Sequence, residues 1–476
     1  MAAGIDDITF FGPRLYLDTS VLEEVRFDGK KKGLISKGLG LNKEAMNDSN
    51  QDAATNAANA VRMLMKKNDV LPSQVERLEV ATESSFDESK GMNSYVIGML
   101  EKFYGAGSLG HCGGVEHKFA CVAGSYALES AVSLVNGRKV KKDKYQIVVV
   151  TDTAKYDLRS PGELTQGTGA LAMLVKDSPR IIEMESDLNA TSIKNLTDFH
   201  RPFGKETPNV YGEESELAYL LQTKDALDDY KRNAIDYGIA VGGKPMIGNV
   251  GYINAHIPYP KMAEKALVYL LRHAWRGTEK MKSIEARIGP EPLPEGGSME
   301  SFFFNEKFVD HNDHRVTPEG SEFLKRDNEF SKKLRGLEEY QEIYKSRLES
   351  SLKFPSEIGN IYTGSMYLAF RSTVENEFRA GVDMSGKRVL FISYGSGANS
   401  MVFSGLMADR SKYTPVVRNM DFFRELGERV PLTYQQYEDL HEKRVAIKDS
   451  MLGRKEYEGQ FVLREVGNGE RRYALA

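Results

Sequence analysis

At 476 residues, with 41% hydrophobic and 10% aromatic side chains, the chain can fill two core-sized units or one duplicated α/β unit. Its formal charge of −4, from 64 basic against 68 acidic residues, gives no electrostatic reason to expect nucleic acid or an anionic membrane as partner. Two cysteines are too few for a disulfide framework and point to a reducing, cytoplasmic compartment; no run reaches the roughly eighteen apolar residues of a membrane span, and the acidic start is unlike a secretory or organellar leader.

Helix and strand signals then alternate. Residues 52–67 carry alanine, valine, leucine and methionine at helical spacing after an Asn47-Asp48-Ser49-Asn50 start signal, and 75–82 read as a short apolar strand. Residues 118–128 put Cys121 at the mouth of a helix of small and apolar residues that runs to the Asn136-Gly137 stop. Unpaired N–H groups and the positive end of the helix dipole at such a mouth favour thiolate over thiol, while Ala123, Gly124 and Ser125 permit another backbone to come close. A buried structural thiol is the competing reading. Residues 145–151, a continuous β-branched run, and 169–175 read as buried strands.

The second half echoes the first. A strand at 250–255 leads to His256, helices follow at 259–275 and 362–375, and a strand at 388–393 reaches a glycine-rich turn, Tyr394-Gly395-Ser396-Gly397, before a last strand at 400–406. Such alternation argues for layered helix–sheet packing. Residues 276–356 differ: they are charged, hold Pro290, Pro292 and Pro294, carry a polar helical stretch from about 328 to 352, and read as a surface insertion. Within them Asp310-His311-Asn312-Asp313-His314 offers metal-ligand residue types at no metal-site spacing and reads as a solvated loop. His111, His117, His200, His273 and His441 carry no motif that lifts them above ordinary surface or satisfied core positions.

Two more motifs carry chemistry. Glu83 stands at a strand exit, where burial would raise its proton affinity into the range useful near neutral pH; a solvated or ion-paired glutamate fits the same position. His256 begins a proline-braced turn into a helix with Lys261 and Lys265 on one face, so that the histidine is suited to polarise a carbonyl and the lysines to meet phosphates; a capped loop histidine and solvated lysines fit as well.

Jointly, GIDDITFFGP (4–13), GLGL (38–41), TESSFDESK (82–90), KFACVAGSYAL (118–128), VVVTDTAKY (148–156), LTQGTGA (164–170), NAHIPYPKMAEKAL (254–267), GNIYTGSMYL (359–368), SYGSGANS (393–400), YEDLHEKR (437–444) and FVLREVGNGERRYAL (461–475) resemble the hydroxymethylglutaryl-CoA synthase family of the thiolase superfamily. The resemblance implies a thiolase-like fold, with duplicated βαβαβ halves in a five-layered αβαβα sandwich: an N-terminal half at 1–180 with Glu83 and Cys121, and a C-terminal half at 181–476 with His256. It implies that acetyl-CoA acetylates Cys121, that Glu83 removes a methyl proton so that the carbanion adds to acetoacetyl-CoA, and that His256 orients and polarises that second substrate.

By the same resemblance, backbone N–H groups of Cys121, Gly395 and Ser396 form the oxyanion hole. Asp152, Tyr156, Thr165, Asp198 and Ser215 lie near the acyl chain, Asn360, Tyr362 and Ser396 around the acetoacetyl group, and Lys261 and Lys265 on CoA phosphates. No metal or redox cofactor is implied. The implied partners are the two CoA thioesters, a second copy of the chain and, from archaeal relatives, a thiolase; the implied setting is the cytoplasmic mevalonate route to isoprenoids. Two departures from the family pattern are Val122, where many relatives carry tyrosine, and the 276–356 segment.

Three rival readings are separable. A decarboxylating ketoacyl synthase would use Cys-His-Asn without Glu83, a polyketide β-branching synthase would take carrier-protein-bound acceptors, and a non-catalytic scaffold subunit would have lost at least one of Glu83, Cys121 and His256.

Overall fold

The apolar runs fold as the ten strands of one mixed sheet in a computed structural model that describes residues 2–28, 30, 32–137, 143–239, 247 and 250–476. In chain order these are β1 (Ala3–Phe11), β2 (Val75–Ala81), β3 (Glu116–His117), β4 (Tyr145–Ala154), β5 (Gly167–Asp177), β6 (Ile182–Met184), β7 (Ala190–Ile193), β8 (Tyr252–Ala255), β9 (Arg388–Gly395) and β10 (Asn399–Met407). Their order is β8-β9-β10-β6-β1-β5-β4-β2-β3, with β7 paired to β10. The parallel pair β2–β4 and the antiparallel pair β4–β5 recur as β8–β9 and β9–β10, so the second half repeats the pairing of the first.

Eight helices matter for the site: α1 (Ala53–Lys67), α2 (Met92–Tyr104), α3 (Ala123–Asn136), α4 (Gly212–Asp236), α5 (Pro260–Trp275), α6 (Pro318–Arg335), α7 (Ser365–Arg379) and α8 (Tyr434–His441). Successive strand residues point to opposite faces. On β4, Val148 and Val150 pack with α3 while Ile147 and Val149 pack with α1; on β9, Val389 and Phe391 pack with α7 while Leu390 and Ile392 pack with α5. Both faces of each strand are therefore covered, which is why these runs are apolar throughout rather than alternating. The layers run α1/α2, the half of the sheet formed by β1–β5, α3/α7, the half formed by β6–β10, and α4/α5, the expected five-layered sandwich. α3 meets α7 and the turn before it closely in the middle, where a Cβ on Gly124 would stand 3.0 Å from the Tyr367 ring and 3.0 Å from the Thr363 carbonyl oxygen.

Two local readings are corrected. The α1 cap is Asp52, whose side chain accepts from Thr55 N while Thr55 answers to the Asp52 backbone. Asp48, in the supposed start signal, instead accepts from the N–H groups of Met451 and Leu452, tying down the C-terminal segment. The 276–356 segment is not a surface insertion. Phe302, Phe303, Phe308 and Phe323 form a buried cluster with Leu217 and Tyr219 of α4 and with Tyr394, and Phe330, Leu334 and Tyr340 join the core around α5. Its expected 328–352 helical stretch is present but broken at Gly336-Leu337: α6 stops at Arg335, and a second helical run spans Glu338–Leu352 with a π-helical turn at Tyr344–Leu348. Charged outward faces dominate its composition and hide the apolar stripe beneath.

The 310–314 loop is exposed at Asn312 and Asp313, as expected, but anchored through its histidines. His311 and His314 each place Nδ1 on the buried Glu214 carboxylate of α4, at 2.9 and 2.7 Å. Among the described residues there is no group of three or more side chains suited to hold a metal, and no helix long and apolar enough to cross a membrane.

Candidate active site

The parallel strands bring their carboxyl ends to one place, and the chemistry-bearing residues follow those ends. Glu83 comes two residues after β2, and Asp152 near the end of β4 holds its turn. Asp152 Oδ1 accepts from Glu83 N (2.7 Å), Thr82 Oγ1 (3.0 Å) and Ser84 Oγ (2.8 Å), and Oδ2 from Thr363 N (3.0 Å) and Oγ1 (2.5 Å). The resemblance implied that Asp152 meets the acyl chain. Its oxygens are occupied by protein donors, so it shapes the Glu83 turn instead. Burial raises the Asp152 pKa to about 6 against these hydrogen bonds.

Glu83 and Cys121 face one another. Glu83 Oε1 is buried without a protein partner, and burial, reinforced by the Asp152 charge, raises the carboxyl pKa to about 8. Burial and then the neighbouring Glu83 push the Cys121 thiol well above its ordinary range. This corrects the expectation of a helix-stabilised thiolate. Cys121 does precede the α3 N-cap, Val122. A helix terminus, however, contributes about 0.3–1 kcal/mol, less than one pKa unit, and desolvation beside two carboxyl groups outweighs it.

An aromatic box surrounds the pair. Tyr156, Tyr362 and Phe199 stand edge to face at centroid separations of 6.1–6.3 Å, with Cys121 packed against them. Ala120 and Tyr362, on either side of the pocket, both hold a left-handed φ of 42°, strain of a kind that collects at functional sites. Asn360 Oδ1 accepts from Tyr362 N and Ser365 Oγ, both at 2.9 Å, and Asn360 N donates to the Thr165 carbonyl at 2.9 Å, so Thr165, Asn360 and Tyr362 lie together.

The end of β9 closes the other side. A Cβ on Gly395 would lie 2.8 Å from Val122 N and 2.9 Å from the Phe119 carbonyl oxygen, so glycine alone lets this turn press on the nucleophile loop. Gly395 and Ser396 therefore adjoin the Cys121 backbone. Asp198 supports the turn by accepting from Gly397 N (2.9 Å) and the Tyr394 hydroxyl (3.1 Å), and Ser215 Oγ lies 3.5 Å from Ser396 Oγ. His256 follows β8 directly; its N–H donates to the Ile392 carbonyl (2.7 Å) and its carbonyl accepts from the Tyr219 hydroxyl (3.1 Å). Burial lowers the imidazole pKa to about 3, leaving it neutral near pH 7.

Lys261 and Lys265 are not free cations. They pair with Glu264 and Glu216, each at 2.8 Å, and Lys265 also lines a groove of about 510 Å³ between α4, α5 and α6. Sequence reasoning passed over Phe199, which sits in a two-residue strand without periodic signal, and Thr363. It also passed over Arg201, whose guanidinium donates to the Glu83 carbonyl oxygen and whose charge favours the ionised Glu83 carboxylate.

This arrangement on this fold defines the thiolase-like condensing enzymes, which build carbon–carbon bonds on an acylated cysteine. Sequence models for the hydroxymethylglutaryl-coenzyme A synthase N terminal and C terminal regions match residues 1–179 and 299–466. The chain is 31% identical over 479 residues to the hydroxymethylglutaryl-CoA synthase of Haloferax volcanii, covering 99% of each, and 29% identical to that of Enterococcus faecalis, covering 92% of this chain and 91% of the relative. Among solved structures, MvaS in complex with 3-hydroxy-3-methylglutaryl coenzyme A superposes with a TM-score of 0.78 at 26% identity, over 100% of this chain and 99% of that one. The chain belongs to the hydroxymethylglutaryl-CoA synthase family and is an acyl-CoA condensing enzyme. The C-terminal match begins at residue 299, so most of the 276–356 segment is part of the family's own pattern.

Proposed function

We propose that the Cys121 thiol takes the acetyl group of acetyl-CoA and releases CoA, and that Glu83 then removes a methyl proton so that the carbanion adds to the ketone carbon of acetoacetyl-CoA. Glu83 returns the proton to the new alkoxide. Water cleaves the enzyme thioester, giving 3-hydroxy-3-methylglutaryl-CoA and the free thiol. The observation that carries this reading is the Glu83 carboxyl, with a pKa near 8, facing the Cys121 thiol inside the aromatic box. General acid–base help of this kind is worth about 10²–10⁴-fold, and an oxyanion donor such as the Gly395 or Ser396 N–H about 3 kcal/mol. Neutral His256 donates to the acetoacetyl carbonyl, and Lys261 and Lys265 exchange their carboxylates for CoA phosphates. In the same reading the enzyme is a cytoplasmic homodimer that supplies 3-hydroxy-3-methylglutaryl-CoA to the mevalonate route to isoprenoids and associates with a thiolase.

Labelled acetyl-CoA tests it. Label should map to Cys121, persist in Cys112→Ala and vanish in Cys121→Ala. Glu83→Ala should accumulate acetyl-enzyme, because removing that carboxyl lowers the proton affinity of the thiol, yet form almost no product with acetoacetyl-CoA. His256→Ala should be acetylated but bind acetoacetyl-CoA weakly. Condensation by Glu83→Ala at near wild-type rate would falsify the assignment, and turnover only with a carrier-protein-bound acceptor would replace it with the polyketide β-branching activity.

A further inference from the structure

The segment from Tyr156 to Gln166 forms one wall of the acyl pocket, and it is held from outside the pocket. The Tyr156 backbone is pinned twice: its N–H donates to Gln166 Oε1 (2.7 Å), and its carbonyl accepts from His441 Nε2 (2.9 Å). His441 Nε2 also faces Gln166 Oε1 at 3.2 Å, so this nitrogen, with acceptors on both sides, donates, while Nδ1 lies 2.9 Å from Glu442 Oε1. Gln166 Nε2 donates to the Tyr437 hydroxyl (2.7 Å), which donates to Glu163 Oε1 (3.2 Å). Arg26 grips Glu163 through Nε (2.8 Å) and Nη2 (2.5 Å).

Gln166, Tyr437, His441 and Glu163 are all buried, so water does not compete for these bonds. Tyr437 and His441 lie one turn apart on α8, in the closing part of the chain. On the inner side, the Tyr156 ring lies against Gly162, where a Cβ would come within 2.4 Å of it, and reaches the cluster of Tyr362 and Cys121.

Resting on the acetyl-transfer reading, we propose that His441 and Gln166 are positioning residues that set the Tyr156 ring beside Cys121, so that α8 fixes which acyl chains the pocket admits. A wall displaced by about 1 Å costs on the order of 10²-fold in rate, and an extra methylene in a fitted apolar pocket is refused by about 10–200-fold. Loosening the wall therefore slows acetyl transfer and relaxes chain selection together.

The test measures acylation of Cys121 in the full chain from acetyl-CoA and, separately, propionyl-CoA, alongside thermal melting. His441→Leu should lower the acetyl rate about tenfold and narrow the acetyl-to-propionyl ratio by a similar factor, while His441→Gln, which keeps an N–H toward the Tyr156 carbonyl, should recover most of both. KM for acetoacetyl-CoA should stay unchanged. A folded His441→Leu with the wild-type ratio, or a His441→Gln no better than leucine, overturns the proposal. Should His441→Leu not fold, Tyr437→Phe, which removes one hydroxyl behind Gln166, should narrow the ratio about twofold to threefold; an unchanged ratio there also overturns it. A wild-type chain that accepts neither acyl group overturns the acetyl-transfer reading itself, and this inference with it.

Discussion

Glu83 keeps its proton up to about pH 8 in the folded chain, against an ordinary 4.5. Across that window the folded state holds a proton that the unfolded state has lost, so raising the pH withdraws stability until both forms are ionised. Glu83→Gln escapes this loss. Its melting temperature relative to wild type should climb from pH 4.5 to about 8 and then level off; a flat difference in calorimetry means that the carboxyl is not held in its neutral form. His256 acts in the opposite direction. Its folded value of about 3 against 6.5 means that the unfolded chain gains a proton first as pH falls, so wild type loses stability from pH 6.5 downward and His256→Gln is spared that part. In the proposed mechanism methyl-proton removal needs the Glu83 carboxylate, so the condensation rate should rise with pH toward about 8. The raised proton affinity of Glu83 was legible from its place at a strand exit. The state of Cys121 was not. The helix dipole belongs to local sequence, whereas desolvation of the thiol depends on Tyr156, Phe199 and Tyr362, which arrive from three separate segments.

At the scale of elements, strand runs were readable because burial on both faces keeps the middles of β4 (residues 147–150) and β9 (residues 389–392) continuously apolar. The small residues of α3 announced its close meeting with Thr363, and the turn at Gly395 announced a tight approach, though not to what. Since a Cβ there meets the Val122 N–H and the Phe119 carbonyl, Gly395→Ala must push the nucleophile loop aside. We expect a stability loss of about 1–3 kcal/mol and a marked fall in Cys121 acetylation. Acetylation at the wild-type rate would separate this turn from the nucleophile. Helix α8 was named only as part of a resemblance, because a histidine in an acidic, charged stretch such as Glu438-Asp439-Leu440-His441-Glu442 gives no local sign that it turns inward.

At the scale of the whole molecule, the 276–356 segment was misread because composition reports the solvent side of a helix as loudly as the buried side. Phe303 lies fully buried between this segment and α4. Phe303→Ala should therefore cost about 3–5 kcal/mol in denaturant unfolding, where a surface position would stay within about 0.5 kcal/mol.

In the proposed reading, Lys261 and Lys265 meet an incoming phosphate by letting go of Glu264 and Glu216. Association at that rim is an exchange of partners rather than capture by bare charge. Added electrolyte loosens the resident pairs along with the incoming ones, so affinity for a phosphate-bearing ligand changes little with ionic strength. An anion too weak to displace a tethered carboxylate finds both lysines already satisfied, so in the proposed reading they discriminate by charge density before any chemistry begins.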